Sequence, residues 1–196
     1  MKWVTRERPV IDRIACPWLI ARFIDAEAEF LFVPPSEVIR VAQETGAMPY
    51  DVPGVEFTHF GEGCSFDAFV ATYGLQRDPA LVTIAAIVRG ADTDRHDLTP
   101  QSAGLLAISM GLRDVTPDDH EVLRHGFVMY DALYAWAKTR RYETHSWPPV
   151  GFSADGVNIS GHGSKRAFPA SNPPAPTSIV GLPDKTPRPQ PEERNE

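Results

Sequence analysis

Proline placement constrains this chain more than any other feature. Proline lacks a backbone N–H and fixes φ near −65°, so it is accepted at the first position of a helix and resisted in the interior. Ten of the 19 prolines fall within residues 148–191, and nine are spread over everything before them. The later stretch, with runs such as PASNPPAPTS and DKTPRPQPEERNE, holds few large apolar residues. It buries too little to offset the entropy of ordering and reads as a disordered tail. The expected division is one folded domain at 1–148 and a Pro-rich tail at 149–196.

Inside the body the prolines mark helix starts. Asp78-Pro79, Thr99-Pro100 and Thr116-Pro117 each pair a capping side chain with a first-position proline. They open PALVTIAAIVRG, closed by Gly90; PQSAGLLAISMG, closed by Gly111; and a long helix from 117 to about 139. Pro17 is read the same way, as the start of PWLIARFID, while Ser36 caps SEVIRVAQETG and Ser65 caps SFDAFVATYG. Trp3–Arg6, Glu29–Val33 and Val55–Phe60 read as short strands. The expectation is an α+β fold of about six helices packed around a small three- to four-stranded sheet. Its C-terminal half is helix-rich, and regular βαβ alternation is not expected.

Charge narrows the partners. The chain carries a formal −7, and because the tail's charges cancel, the body carries all of it. Such a body repels nucleic acid and anionic membranes unless a local basic patch intervenes, so nucleic acid is not an expected partner of this chain alone. No apolar stretch approaches the ~20 residues of a membrane span, and the start MKWVTRERPV has no hydrophobic signal core. Two cysteines are too few for a disulfide framework or a four-thiolate zinc site, which points to a reducing cytoplasm and free thiols. The glycines at 61–63 lack the remaining spacing of a dinucleotide fingerprint, and no phosphate loop, G-x-S-x-G or H-E-x-x-H motif occurs.

Several groupings carry chemistry. In T-H-F-G-E-G-C-S-F-D, a strand end delivers His59 and a glycine turn delivers Glu62, Cys64 and Asp67, half of a transition-metal site. Cys16 and Cys64 both fall at expected helix starts, where the dipole lowers a thiol's pKa and attracts oxyanions; the plainer alternative is a buried apolar cysteine. R-G-A-D-T-D-R-H-D offers Asp92 and Asp94, ahead of His96 and Asp97, as ligands or a general base, or else a charged loop paired by Arg89 and Arg95. On the long helix Glu121 and His125 share a face, whereas His120 and His125 stand about 140° apart and do not suit one metal. Acidic residues in that first turn also serve the helix dipole. His145 follows the helix in E-T-H-S-W-P.

Taken in order, IDRIACPWLIARFID (11–25), FVPP (32–35), YDVPGV (50–55), HFGEGCSFD (59–67), IVRGADTDRHDLTPQSAGLLAIS (87–109), YDALYAW (130–136) and ETHSWP (143–148) resemble the C-terminal domain of the chromate-resistance protein ChrB family. The resemblance covers about residues 1–148. It implies a role in bacterial chromate resistance, and full-length members are described as chromate-responsive regulators with an additional N-terminal region. A DNA-reading role tied to that region is not expected of this chain alone. The motif residues carry onto Asp12, Arg13, Cys16, His59, Cys64, Asp67, Arg89, Asp92, Asp94, Gln101 and His145.

The resulting expectation is a chromate- or oxidative-stress-resistance domain that binds a transition metal, iron or zinc, or a small oxyanion. Its metal site is centred on His59, Cys64 and Asp67, assisted by Asp92, Asp94 and His145. Arg13, Cys16 and Arg89 are the oxyanion candidates. In an enzymatic version, a metal-dependent oxidoreductase, Cys64 and Asp94 act in catalysis. Asp12, Glu62, Gln101, His120 and Glu121 are secondary candidates. The competing class is a non-catalytic chromate or metal sensor. Expected partners are a small molecule or oxyanion, with a homo-oligomer left open.

Overall fold

A computed structural model of the chain describes residues 1–143. The domain boundary expected at 148, the tail at 149–196 and His145 lie outside the described residues.

The sheet is built first. Strands β1 (Lys2–Arg6), β2 (Glu29–Val33) and β3 (Met48–Pro49) are parallel and lie in the order β2-β1-β3. Parallel neighbours need a crossover. Helix α1 (Asp12–Leu19), extended by a π-helical turn over Ile20–Ile24, connects β1 to β2. Helix α2 (Val38–Thr45), entered through a 3-10 turn over Pro35–Glu37, connects β2 to β3. Strands and helices therefore do alternate through the first fifty residues, and only afterwards does the chain become purely helical. The strand expected at Val55–Phe60 is replaced by two isolated bridges, Tyr50 to Phe57 and Phe60 to Gly63. Pro53 and the left-handed Gly54, φ 83°, turn the chain out of register before a ladder forms.

Central strand β1 is buried on both faces, as parallel sheets require. Trp3 points into the main core, where it meets Tyr50, Phe57 and Phe69 with ring centroids 6.5, 5.7 and 5.4 Å away. Val4 points the other way, into a smaller cluster with Val38, Ala47 and Val52 beneath α2. Helices α1 and α2 thus cover opposite faces of the sheet.

The remaining helices close the main core: α3 (Ser65–Thr72), α4 (Pro79–Asp92), α5 (Ser102–Val115) and α6 (Asp119–Thr139). Asp78 caps α4 as expected, accepting from Ala80 N at 2.8 Å with Pro79 in the first turn. Gly90 and Gly111 do not end their helices, which run on to Asp92 and Val115. Gly90 is instead an approach point, since a Cβ there would sit 2.3 Å from Ser102 Oγ on α5. Pro17 is the clearest departure from the proline rule. It lies inside α1, which begins at Asp12. Ser36 falls within the 3-10 turn, and Cys64 rather than Ser65 holds the N-cap of α3. Among the described residues, no helix is long and apolar enough to cross a membrane.

Candidate metal centre

Because the crossover from β1 to β2 covers one face of the sheet and the crossover from β2 to β3 covers the other, a crevice opens beyond the carboxyl ends of β1 and β3. Open α/β sheets bind ligands at such a switch point. Asp12 is the first residue of α1, Asp51 follows β3 by two residues, and Asp92 is the last residue of α4. His59 comes from the loop between β3 and α3. The N-terminus of α3 points into the same crevice: Ser65 N and Phe66 N donate to Asp12 Oδ2 at 2.6 and 3.4 Å, and Ser65 Oγ donates to Asp51 Oδ1 at 2.9 Å.

The backbone is strained on both sides of this point. Ile11, a β-branched residue, has φ 41° and Asp51 has φ 53°; such positions cost about 1–3 kcal/mol each and cluster at functional sites. Arg8 holds the loop between β1 and α1 by donating from its guanidinium to the carbonyls of Arg113, Thr116 and Pro117.

Each of Asp12, Asp51, His59 and Asp92 offers one ligand atom, and all four atoms lie within 4.8 Å of one another. His59 Nε2 stands 2.9 Å from Asp92 Oδ2 and 3.7 Å from both Asp12 Oδ2 and Asp51 Oδ1. The side chains grade from 1% exposed at Asp12 through 6% at Asp51 and 17% at Asp92 to 43% at His59, so the histidine is the solvent-facing member. Arg6 and Arg13 both reach Asp51 Oδ2, at 2.8 and 3.4 Å.

The electrostatics follow from crowding. Burial, then the carboxylates of Asp92 and Asp51, hold Asp12 well above the carboxylate range despite the Ser65 amide and the Cys64 thiol. Burial and Asp51 raise Asp92 to about 6, against the pull of His59. Asp12 Oδ1 is buried and has no hydrogen-bond partner among the described residues. A buried carboxylate oxygen left without a donor costs about 1–3 kcal/mol or more. Three carboxylates and one imidazole converging this closely suit a divalent cation with hard or borderline preferences, such as Mn(II), Fe(II) or Zn(II).

The structure brings together His59, Asp92 and Asp12 from the sequence candidates, and adds Asp51, which sequence reasoning passed over. Cys64 and Asp67 are not among the four, although the Cys64 thiol neighbours Asp12. Cys64 N donates to Asp67 Oδ2 at 3.0 Å to cap α3, and Asp67 takes a bidentate pair from Arg89 at 2.8 and 2.6 Å. Burial, followed by the Asp12 and Asp67 carboxylates, pushes the Cys64 thiol far up, away from a ligating thiolate. Cys16 sits in the interior of α1 and is fully buried, not at a helix start, and burial raises its thiol as well. It therefore faces no oxyanion. Arg13 and Arg89 are engaged by Asp51 and Asp67.

Asp94 and Glu62 are exposed and line a hollow beside His59. His96 Nδ1 is 2.8 Å from Gly90 O. Gln101 holds the N-cap position of α5 without a side-chain cap bond. His120 lies edge-on to Phe32, centroids 5.5 Å apart. Glu121 pairs along α6 with Arg124 and His125, and its N–H is capped by Asp118 at 2.7 Å, the helix-stabilising alternative.

Comparison with known proteins places these residues in a family context. The family model described as "ChrB, C-terminal domain" matches residues 3–137. Protein ChrB of Cupriavidus metallidurans is 33% identical over 133 residues, covering 68% of this chain and 40% of that protein. The chain thus spans less than half the length of this curated relative. No solved structure matches.

Proposed function

The chain belongs to the ChrB C-terminal domain family, and from that premise we propose that it is a chromate-resistance domain whose chemistry is seated on a divalent metal held by Asp12, Asp51, His59 and Asp92. The observation that carries this reading is the convergence of one ligand atom from each of these four side chains within 4.8 Å, on a buried Asp12 whose Oδ1 has no hydrogen-bond partner among the described residues. A cation there supplies the missing partner and offsets the mutual repulsion of the carboxylates. The alternative compensation is a proton held among the carboxylates, in keeping with the raised Asp12 and Asp92, and metal content separates the two.

Access supports the same residues. Asp51 and His59 line a 460 Å³ hollow together with Arg6 and Thr58. A small oxyanion entering it meets the Arg6 guanidinium and the Thr58 hydroxyl, local donors that oppose the negative field of the body. Arg6 is paired with Asp51 at 2.8 Å, much as the sequence candidates Arg13 and Arg89 are with their carboxylates, but unlike them it lines the hollow that Asp51 and His59 share.

Metal content of protein purified without a tag, after exposure to Mn(II), Fe(II) or Zn(II) and gel filtration, tests the proposal. One metal per chain is expected in the parent and in Cys64→Ser, with loss in Asp51→Asn and His59→Ala. Substoichiometric metal in the parent, or loss in Cys64→Ser with retention in Asp51→Asn, overturns it.

A further inference from the structure

A second hollow, chemically unlike the first, lies beside the turn that follows His59. Phe60, Val70, Val82 and Ala85 line a groove of 530 Å³ between α3 and α4, bounded by the Phe60–Gly63 turn. That volume lies in the range of small-molecule sites, roughly 300–1,000 Å³. Phe60 and Val82 are 54% and 48% exposed and line the same groove, leaving apolar surface that a ligand would cover. The Phe60 ring lies close over the turn: a Cβ at Gly63 would sit 3.1 Å from Phe60 Cζ and 3.3 Å from Phe60 O.

The polar end of the groove is equally defined. Arg89 gives Nε and Nη2 to Asp67, while its Nη1 has no hydrogen-bond partner among the described residues. Arg89, Gly61, Glu62 and Gly63 also line the neighbouring 300 Å³ hollow that reaches His59. The turn therefore separates two chambers, and Arg89 borders both. One guanidinium stands against the carboxylates of Glu62 and Asp67 in this groove, so the local charge disfavours an anion. The free donor favours an acceptor oxygen.

We propose that this groove binds a neutral, largely apolar aromatic molecule bearing a carbonyl-type acceptor, its body against Phe60, Val82 and Ala85 and its oxygen at Arg89 Nη1. The acceptor end then lies at the border with the hollow that His59 lines.

Prodan, a neutral naphthalene dye with one ketone, is a suitable probe for the 196-residue chain. Saturable one-site binding with blue-shifted emission is expected, weaker for the anionic dye anilinonaphthalene sulfonate. Ala85→Phe fills the groove. Val82→Glu changes an exposed wall residue that the fold does not need, and is expected to weaken prodan about tenfold or more by setting a carboxylate against the apolar body. His59→Ala and Asp51→Asn, which remove metal uptake under the proposed function, leave prodan binding intact, so failure of one reading is distinguishable from failure of the other. Absence of saturable binding, tighter binding of the anionic dye, or prodan affinity in Val82→Glu and Ala85→Phe equal to that of the parent overturns the proposal.

Discussion

Replacing Asp92 by asparagine is expected to stabilise the metal-free protein at neutral pH, the reverse of the usual effect of changing a mostly buried residue. Burial and the Asp51 carboxylate raise Asp92 from 3.8 to about 6. The folded state therefore holds this proton more tightly than the unfolded chain does. Its contribution to stability is full below pH 3.8 and is lost as pH rises through about 6. The whole shift corresponds to about 3 kcal/mol. Asparagine is neutral throughout, so Asp92→Asn should exceed the parent by about 3 kcal/mol near pH 7.5, by about 1 kcal/mol near pH 4.5, and by almost nothing below pH 3.8. Urea denaturation in chelator at these pH values measures the gap. Metal should then close the gap and, at higher excess, reverse the order, because a ligand stabilises only the parent, by about 2.7 kcal/mol at 100 times its Kd and about 4.1 kcal/mol at 1,000 times. A variant no more stable than the parent at pH 7.5, or a gap that stays constant with pH, refutes the idea that crowded, buried carboxylates strain the metal-free site.

Two other outcomes follow from packing and burial. Gly126→Ala is expected to destabilise the fold by about 1–3 kcal/mol in denaturant titrations, although alanine is the better helix former, because its Cβ would fall 2.2 Å from Ile14 Cγ2 where α6 crosses α1; a stabilised variant would show that the helices stand further apart. Cys16 and Cys64 are both fully buried with raised thiol pKa values, so neither is expected to react with a thiol-disulfide reagent at pH 8 until denaturant is added, and prompt labelling of the native protein contradicts that burial.

How much of this was legible in the sequence depended on whether the signal was local. The Asp78-Pro79 pair is a local signal and located the start of α4 correctly. Pro17 misled, because α1 begins with the strained Ile11 and the acidic Asp12, and proline is carried in its second turn. That one misreading also displaced Cys16 from the helix interior to a supposed anion-binding end. The site shows the same contrast. His59, Cys64 and Asp67 are near in sequence, yet the Phe60–Gly63 turn reverses the chain between them, and Cys64 and Asp67 are used to cap α3 and hold Arg89. The residues that do converge with His59 come from the start of α1, the turn after β3 and the end of α4. Asp51 carried a weak sign, an aspartate in a turn just before Pro53 and Gly54, but nothing local tied it to Asp12. Only the parallel order β2-β1-β3, which sets the ends of β1 and β3 side by side, makes the pair visible.

X-ray absorption at the metal edge of tag-free, Zn(II)-loaded protein addresses the metal centre most directly. Coordination by Asp12, Asp51, His59 and Asp92 predicts a first shell of oxygen and nitrogen only, at roughly 2.0–2.2 Å, with the scattering pattern of a single imidazole. A sulfur scatterer at about 2.3 Å, or zinc that does not bind to saturation, contradicts it.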